Sequence, residues 1–338
     1  MPRHRPVSMR DVALAAAVSP QTVSRVANGG ESVTPSTRRR VEAAMRKLGY
    51  RPNYAARALK HGRFRNIGVA LFDMTKFGNA RILGGITRTA AERGYAVTLH
   101  IIGDDAPHTL RAVVDRMKRL PVDGVIVIME QRLGDLDTFV PTTNLPVVLV
   151  GDGRADQCPT IDADQYGCST AIVDYLMARG HATVHHIAGP SSSLAAQRRE
   201  QGWRDALSRH GAGAPPVHAG DWGADSGYTA GIALAGDTRC TAIYAANDQM
   251  AYGAIAGLRD AGRSVPDDVS VVGVDDSLPG VVPGLELTTM RIRFEDIGAG
   301  AFVMLQRQCE GSQTLRDART VVPSELIERG SVGAVTAH

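Results

Sequence analysis

Apolar residues recur at helical spacing in three short segments near the start of the chain, at residues 9–17, 18–28 and 34–48. Ser19 and Thr34 can cap the second and third segments. A proline follows each cap at the first helical position, where its missing N–H costs no hydrogen bond. The pattern predicts three short helices that bury one small core, with the tight first connection typical of a helix-turn-helix.

From residue 66 onward the pattern changes to continuous apolar runs separated by helix-length segments. One series of runs lies at 67–72, 97–102, 125–128 and 147–150, and a second lies at 184–188, 242–246 and 269–274. Continuous apolar strands that alternate with helices are typical of parallel sheets covered on both faces. We therefore predict an α/β core made of two doubly wound parallel-sheet subdomains behind an N-terminal helix-turn-helix head.

The second predicted helix carries side chains suited to reading DNA. Val23 and Val26 face inward, which leaves Gln21, Thr22 and Arg25 pointing outward. Glutamine pairs bidentately with adenine and arginine with guanine in the major groove. We interpret this helix as a recognition helix; the alternative is a helical bundle whose polar face is merely solvated.

The net charge of +3 conceals a strong asymmetry along the chain. Residues 1–65 contain 14 Lys or Arg against three Asp or Glu, a balance of +11, and the other residues contain 24 against 32, a balance of −8. A small basic module is thus joined to a larger acidic one. Such an imbalance favours neutralisation of nucleic-acid phosphates over an ordinary solvated face.

Several classes of protein are not supported by the residues. No apolar run approaches the ~18 residues of a membrane span, and the basic start has no signal-peptide core, so we expect a cytoplasmic protein. The four cysteines are widely spaced, and the adjacent His185 and His186 would face opposite sides of a strand, so no disulfide, metal or cofactor site is expected. Nucleophile-elbow and Walker motifs are absent, and no catalytic residues are predicted.

The motifs of the head match those of a known family. Residues 7–13 read Val-Ser-Met-Arg-Asp-Val-Ala, residues 18–26 read Val-Ser-Pro-Gln-Thr-Val-Ser-Arg-Val, and residues 41–53 read Val-Glu-Ala-Ala-Met-Arg-Lys-Leu-Gly-Tyr-Arg-Pro-Asn. This run strongly resembles the LacI/GalR family of bacterial transcriptional repressors. The resemblance implies that the recognition helix contacts DNA through Ser19, Gln21, Thr22, Ser24, Arg25 and Asn28. Pro20 replaces a polar aromatic residue of a family member, so no operator sequence is carried over.

The segment after the third helix has two interpretations. Asn53 can cap a short helix that carries Ala56 and Leu59, or the segment is only a linker. In the resembled family it is a hinge helix that folds when the dimer binds DNA. The resemblance then implies that Leu59 wedges between base steps in the minor groove and that small Ala56 lets two hinge helices approach closely.

The resemblance also implies how the core is divided. The family shares its core with periplasmic sugar-binding proteins, and the chain crosses between the two subdomains three times, here expected near Asp162, Ile292 and Pro323. We therefore expect a helix-turn-helix domain at 1–51 and a hinge helix and linker at 52–64. An N-terminal core subdomain is expected at 65–162 with 293–323, and a C-terminal one at 163–292 with 324–338.

Ligands of open parallel sheets bind outside the carboxyl ends of the strands, and two such sets of ends should face one cleft here. The residues that follow the predicted strands include Phe72, Asp152, Asn247 and Asp275, and Asp162 lies at a crossing. We take these five as candidate effector contacts. Asn247 and Asp275 could equally cap the helices that follow them.

Two further contacts come from the resemblance. Arg199 matches an arginine that reaches the effector from a helix, and Trp222 matches a tryptophan that packs against a sugar ring. A polyol needs donors and acceptors in fixed directions and a flat partner for its apolar ring face, which this set supplies. Arg199 could instead pair with a neighbouring acid and Trp222 could be core. Departures from the family at Gly151 and in the 73–78 loop leave the exact sugar open.

The sequence thus predicts a dimeric repressor that binds a palindromic operator and responds to a small galactoside- or glucoside-like sugar. An alternative within the family is a corepressor-dependent regulator with a purine-like ligand. A sugar-binding receptor without gene control is disfavoured by the basic head and the missing signal peptide. An enzyme would need a catalytic constellation that the sequence does not contain.

Overall fold

The computed structural model describes residues 7–27, 32–50, 62–103, 108–141, 145–152, 158–311 and 318–335. The chain forms two compact units, Met1–Phe64 and Arg65–His338. Each unit has its own hydrophobic core, and each is described separately below.

The described residues of the first unit form three short helices, α1 (Met9–Ala15), α2 (Pro20–Ala27) and α3 (Pro35–Leu48). The Oγ atom of Ser19 accepts a hydrogen bond from the amide of Thr22 at 3.1 Å and so caps α2. The three helices pack around one small core, formed by Val12, Ala13, Ala16, Val23, Val26, Val41 and Ala44.

The turn between α1 and α2 is as tight as predicted, but the buried face of α1 differs in one position. Ala17 adopts a left-handed backbone with φ +48° in the short connection between the two helices. The helical spacing of Val12, Ala15 and Ala16 predicts that these three residues share the buried face, but Ala15 is exposed and Ala13 is buried instead. Residues 13 and 15 lie at equal angles on either side of the face shared by Val12 and Ala16, so the packing of α1 against α2 and α3 decides which of the two is buried.

The second unit contains two six-stranded sheets, which confirms the predicted α/β core. The first sheet has the order β11-β5-β4-β3-β1-β2 and the second has the order β12-β10-β9-β8-β6-β7. All neighbouring strands are parallel except β10 and β12. The strands are β1 (Asn66–Leu71), β2 (Ala96–Ile101), β3 (Val125–Ile128), β4 (Val147–Val150), β5 (Thr160–Ala163), β6 (His185–Ala188), β7 (His218–Ala219), β8 (Ala242–Ala245), β9 (Ser270–Val274), β10 (Thr288–Arg291), β11 (Arg319–Val322) and β12 (Glu325–Ile327).

Helices cover both faces of these sheets, as continuous apolar strands require. They are α4 (Phe77–Glu92), α5 (Leu110–Met117), α6 (Gln165–Met177), α7 (Leu194–Arg209), α8 (Ala224–Ala235), α9 (Asp248–Asp260) and α10 (Phe294–Cys309). Strands β5, β7, β10, β11 and β12 do not appear among the predicted apolar runs, because they are short or are interrupted by polar residues. Their position in the sheets depends on pairing with distant strands, which local pattern does not record.

The chain passes between the two sheets three times. It leaves the first sheet after β5, returns between β10 and α10, and leaves again between β11 and β12. Helix α10 packs against α4 and against β3, β4 and β5, so it belongs to the first subdomain. Helices α6 and α7 pack together beside the second sheet. Among the helices that the structure describes, none is long and apolar enough to cross a membrane.

Candidate effector site

One cavity of about 700 Å³ lies between the two sheets of the second unit. It opens where strand order reverses, beside the carboxyl ends of β1 and β3 in one sheet and of β6 and β8 in the other, which is where such folds bind ligands. The structure brings all seven candidate effector residues to its wall, namely Phe72, Asp152, Asp162, Arg199, Trp222, Asn247 and Asp275.

Arg199 is held rigidly on the inner face of α7. Its side chain is 4% exposed, its Nε donates to Gln165 Oε1 at 2.8 Å, and its Nη1 donates to the carbonyl of Ala246. Its Nη2 lies 3.5 Å from Asp275 Oδ1. Arg199 thus pairs with Asp275 across the cavity wall, and not with Glu200 or Asp205.

Asp275 follows β9 in a left-handed backbone conformation with φ +108°, which an L residue adopts only under constraint. Burial raises the pKa of its carboxyl to about 6, and Arg199 opposes that rise. The Oδ1 atom accepts no hydrogen bond from a described residue. A buried acceptor with spare capacity at a cavity wall is available to a ligand hydroxyl.

Trp222, in the loop between β7 and α8, lines the cavity. Its ring contacts Gly189 and its carbonyl is bonded to Asn247. Its backbone is left-handed with φ +75°, and the ring lies directly over Gly189, where an added Cβ would stand 2.3 Å from the indole edge. Asn247 donates from Nδ2 to the Trp222 carbonyl at 2.9 Å and accepts from the Met250 amide at 2.9 Å. Asn247 therefore caps α9 and positions Trp222.

The carboxylate of Asp152 forms ion pairs with two arginines. Its Oδ2 accepts from Arg198 Nε of α7, and its Oδ1 accepts from Arg319 Nη2 of β11 at 2.7 Å. Its side chain is 11% exposed. The pair with Arg198 joins the two subdomains across the cleft, whereas the pair with Arg319 lies within the first subdomain, so both carboxylate oxygens of Asp152 are engaged.

Asp162, near the end of β5, has a simpler environment. Its Oδ1 accepts a hydrogen bond from the adjacent Ala163 amide at 2.8 Å, and it forms no ion pair with any described residue. Burial raises the pKa of its carboxyl to about 7, and the charge of Asp152 adds to that effect. Asp162 therefore accepts a single hydrogen bond from the described residues.

The opposite wall is built by the loop after β1. Phe72 packs edge-on against His108 with ring centroids 5.4 Å apart. Glu130 organises the loop, because it accepts hydrogen bonds from the Asp73 amide at 2.9 Å, Asn79 Nδ2 at 2.5 Å and Lys76 Nζ at 2.5 Å. Residues 73–78 are thereby tied to the end of β3.

Three residues of this site are absent from the sequence predictions. Glu130 follows the predicted strand 125–128, so the rule applied to the other strand ends would have found it. Arg198 directly precedes Arg199 in the sequence, but its side chain pairs with Asp152, whereas that of Arg199 pairs with Asp275. Gln165, which orients Arg199, carries no local signal because the two residues lie 34 positions apart in sequence.

The predicted recognition helix is α2. Gln21 and Arg25 are exposed, Thr22 and Ser24 are half-buried, and Ser19 is exposed at the cap. Val23 and Val26 are buried, as the pattern predicts. Asn28, Asn53, Ala56 and Leu59 lie outside the described residues.

The cavity is suited to a polar ligand with a flat apolar face. Arg199 and Asn247 offer donors, Asp162 and Asp275 offer acceptors, and Trp222 offers an aromatic surface. The part of the chain that the structure describes holds no group of three His, Cys, Asp or Glu side chains placed to bind a metal ion.

Comparison with known proteins agrees with this division into head and core. Residues 8–53 match the model of bacterial regulatory proteins of the lacI family, and residues 173–332 match a periplasmic binding protein-like domain. The lactose operon repressor of Escherichia coli K12 is 32% identical over 332 residues, covering 96% of this chain and 90% of the relative.

Solved structures give the same result. The lac repressor dimer bound to operator and the anti-inducer ONPF matches with TM-score 0.84 and 31% identity, over 98% of this chain and all of that one. The complex of the transcriptional regulator CelR with cellobiose matches with TM-score 0.67 and 29% identity, over 97% of this chain and all of that one. The head, the two-sheet core and the near full-length similarity together establish that this chain belongs to the LacI family of DNA-binding transcriptional repressors, which are regulators and not enzymes.

Proposed function

We propose that this repressor binds a palindromic operator as a homodimer and that a galactoside- or glucoside-like sugar in the cavity changes its affinity for that operator. The observation that carries the proposal is the Arg199–Asp275 pair beside the indole of Trp222. This arrangement offers a sugar ring directional hydrogen bonds on its edge and an aromatic surface for its face. The DNA partner implies action in the cytoplasm.

The two similar structures support both halves of the proposal. The lac repressor neighbour is a dimer on its operator, and the CelR neighbour holds cellobiose. A symmetric dimer presents two heads to two half-sites, which is why a palindromic operator is expected. Residues 52–64 would join each head to its core as a hinge, with Leu59 in the minor groove.

The effector would act through the orientation of the two subdomains. The cavity is lined from both sheets, and Arg198 and Asp152 link them across the cleft. A sugar that binds one orientation better than the other shifts the equilibrium by that difference in affinity. If the favoured orientation separates the hinge helices, operator affinity falls.

The proposal is tested by anisotropy titration of labelled DNA from upstream of the gene and its neighbours, at fixed salt, with and without sugars and purines. We expect specific binding that one sugar weakens by about 5- to 150-fold, the usual range of allosteric coupling. Tightening by a purine would instead support the corepressor alternative. Absence of specific binding to any fragment would contradict an operator in this region.

A matched pair of variants tests the site itself. Arg199→Gln should abolish the sugar response while operator binding without sugar persists. Arg204→Gln is the control, because Arg204 lies on the same helix, is exposed and pairs with Glu200 at 2.7 Å. A normal response in Arg199→Gln, with circular dichroism unchanged, would refute the assignment of the cavity.

A further inference from the structure

The described wall of the cavity carries more acidic than basic side chains. Five described acidic residues line the cavity, against Lys76 and Arg199 as its described cations. Lys76 is paired with Glu130 at 2.5 Å and Arg199 with Asp275 at 3.5 Å. Asp152 is neutralised by Arg198 and Arg319 from outside the lining. Each cation among the described lining residues therefore already has a carboxylate partner.

Two carboxyl groups of the wall, Asp73 and Asp162, form no direct ion pair among the described residues, although Lys76 acts on Asp73, and Arg199 and Arg319 act on Asp162, at longer range. Asp73 accepts hydrogen bonds from the amide and hydroxyl of Thr75, which lower its pKa and keep it ionised. Asp162 lies deeper, near Arg199, and its one hydrogen bond comes from its own neighbour Ala163. Oxygen atoms of Asp162 thus remain available to a molecule in the cavity.

We propose that Asp162 sets the charge class of the effector, so that the cavity accepts neutral sugars and amino sugars and rejects phosphorylated sugars and sugar acids. This inference rests on the proposed sugar site. A hydroxyl or ammonium group of the ligand donates a hydrogen bond to the Asp162 carboxylate. A phosphate or carboxylate would enter beside Asp73 and Asp162 and meet no unpaired cation of the described wall.

The expected discrimination is large because Asp162 is partly buried at the cavity wall. Like charges a few ångström apart repel more strongly there than in bulk solvent. An ammonium group in the same place gains a charge-assisted hydrogen bond. We therefore expect affinities of neutral and phosphorylated forms to differ by about tenfold or more.

The test is isothermal titration calorimetry of the full chain at pH 8, where a carboxyl with a pKa of about 7 is mostly ionised. The probes are galactose, glucose and their methyl glycosides, with the corresponding 2-amino, 6-phosphate and uronic acid derivatives. We expect a neutral or amino sugar to bind about tenfold or more tightly than its phosphate and its acid. Asp162→Asn should keep neutral-sugar affinity within about threefold, because the amide oxygen still accepts, and should reduce the discrimination about tenfold.

The control variant is Asp267→Asn, which removes the same charge from an exposed position outside the cavity and should leave the ratio unchanged. If a sugar phosphate or acid binds wild type as tightly as its neutral parent, the inference fails while the sugar proposal stands. If Asp162→Asn folds and keeps full discrimination, Asp162 is not its source. If no sugar of any charge binds folded wild type, the sugar proposal fails and the inference with it.

Discussion

At the scale of single residues, the site depends on backbone conformations that place side chains at strand ends. Trp222 and Asp275 both have positive φ values, +75° and +108°, at which L residues are held only by their surroundings. For Trp222 those surroundings are Gly189 beneath the ring and Asn247 bonded to its carbonyl. The aromatic wall is therefore fixed before a ligand arrives, which lowers the entropic cost of binding.

Gly189→Ala tests this support. The new methyl group would stand 2.3 Å from the indole, so the ring must move off its present position. We expect sugar affinity to fall about tenfold, because a displaced indole loses its stacking contact. Calorimetric titration with the sugar that changes operator binding in the anisotropy test measures the affinity.

Gly213→Ala is the matched control for that substitution, since an added Cβ there meets nothing within 4 Å. It should leave sugar affinity unchanged. An unaltered affinity in Gly189→Ala would show that the indole does not contribute to binding.

At the scale of elements, α2 combines a cap, a buried apolar stripe and an outward polar row in one short helix. Ser19 fixes its first turn, and Val23 and Val26 anchor it to the head. Gln21 and Arg25 are left exposed. Because buried and exposed residues alternate along the helix, packing determines which side chains are left free for the proposed contacts with DNA.

Arg25→Ala should weaken operator binding by about 1–3 kcal/mol and relax the preference for one base pair. The measurement is the ratio of affinities for the operator and for a variant operator set at fixed salt. A phosphate contact would instead weaken all DNA alike and lower the salt dependence.

Arg46→Ala provides the comparison, because Arg46 is an exposed arginine of the same head on α3. It removes the same charge, and base preference should be retained. Equal loss of affinity for every DNA sequence in Arg25→Ala would contradict a base-reading role for that residue.

At the scale of the whole molecule, the second unit consists of two subdomains that are linked by three chain crossings and by side chains across the cleft. Arg198 of α7 contacts Asp152 of the first subdomain, and the Leu194 amide donates to the Glu130 carbonyl at 3.0 Å. These contacts stabilise the present orientation of the subdomains. Any ligand that favours another orientation must break them.

Arg198→Gln should therefore change the coupling between effector and operator. With the ion pair removed, the present orientation loses stability relative to others, and the ratio of operator affinities with and without saturating sugar should change by about threefold or more. Sugar affinity itself should change less, since Arg198 does not line the cavity. Anisotropy titrations with and without sugar measure the ratio.

The control Arg204→Gln breaks a pair within α7 and should leave this ratio as in wild type. If Arg198→Gln leaves the coupling unchanged, the bridge to Asp152 does not take part in the allosteric transition.

Much of this protein can be predicted from its sequence because the relevant forces are local. Apolar periodicity and caps determine the three head helices, and continuous apolar runs determine most of the parallel strands. The predicted bounds of these helices and strands differ from those observed by three residues or fewer. Since parallel strands expose their carboxyl ends on one edge, the order of residues along the chain is enough to propose those that follow the strands as cavity residues.

Only the tertiary structure decides what each of those residues does. Asp152 is committed to Arg198 and Arg319, and Asn247 to a helix cap and the Trp222 carbonyl, whereas Asp162 has a single hydrogen bond. The physical reason is distance along the chain. The partner of Asp152 on β11 lies 167 positions away, and its approach depends on sheet order, crossings and backbone angles that no local pattern encodes.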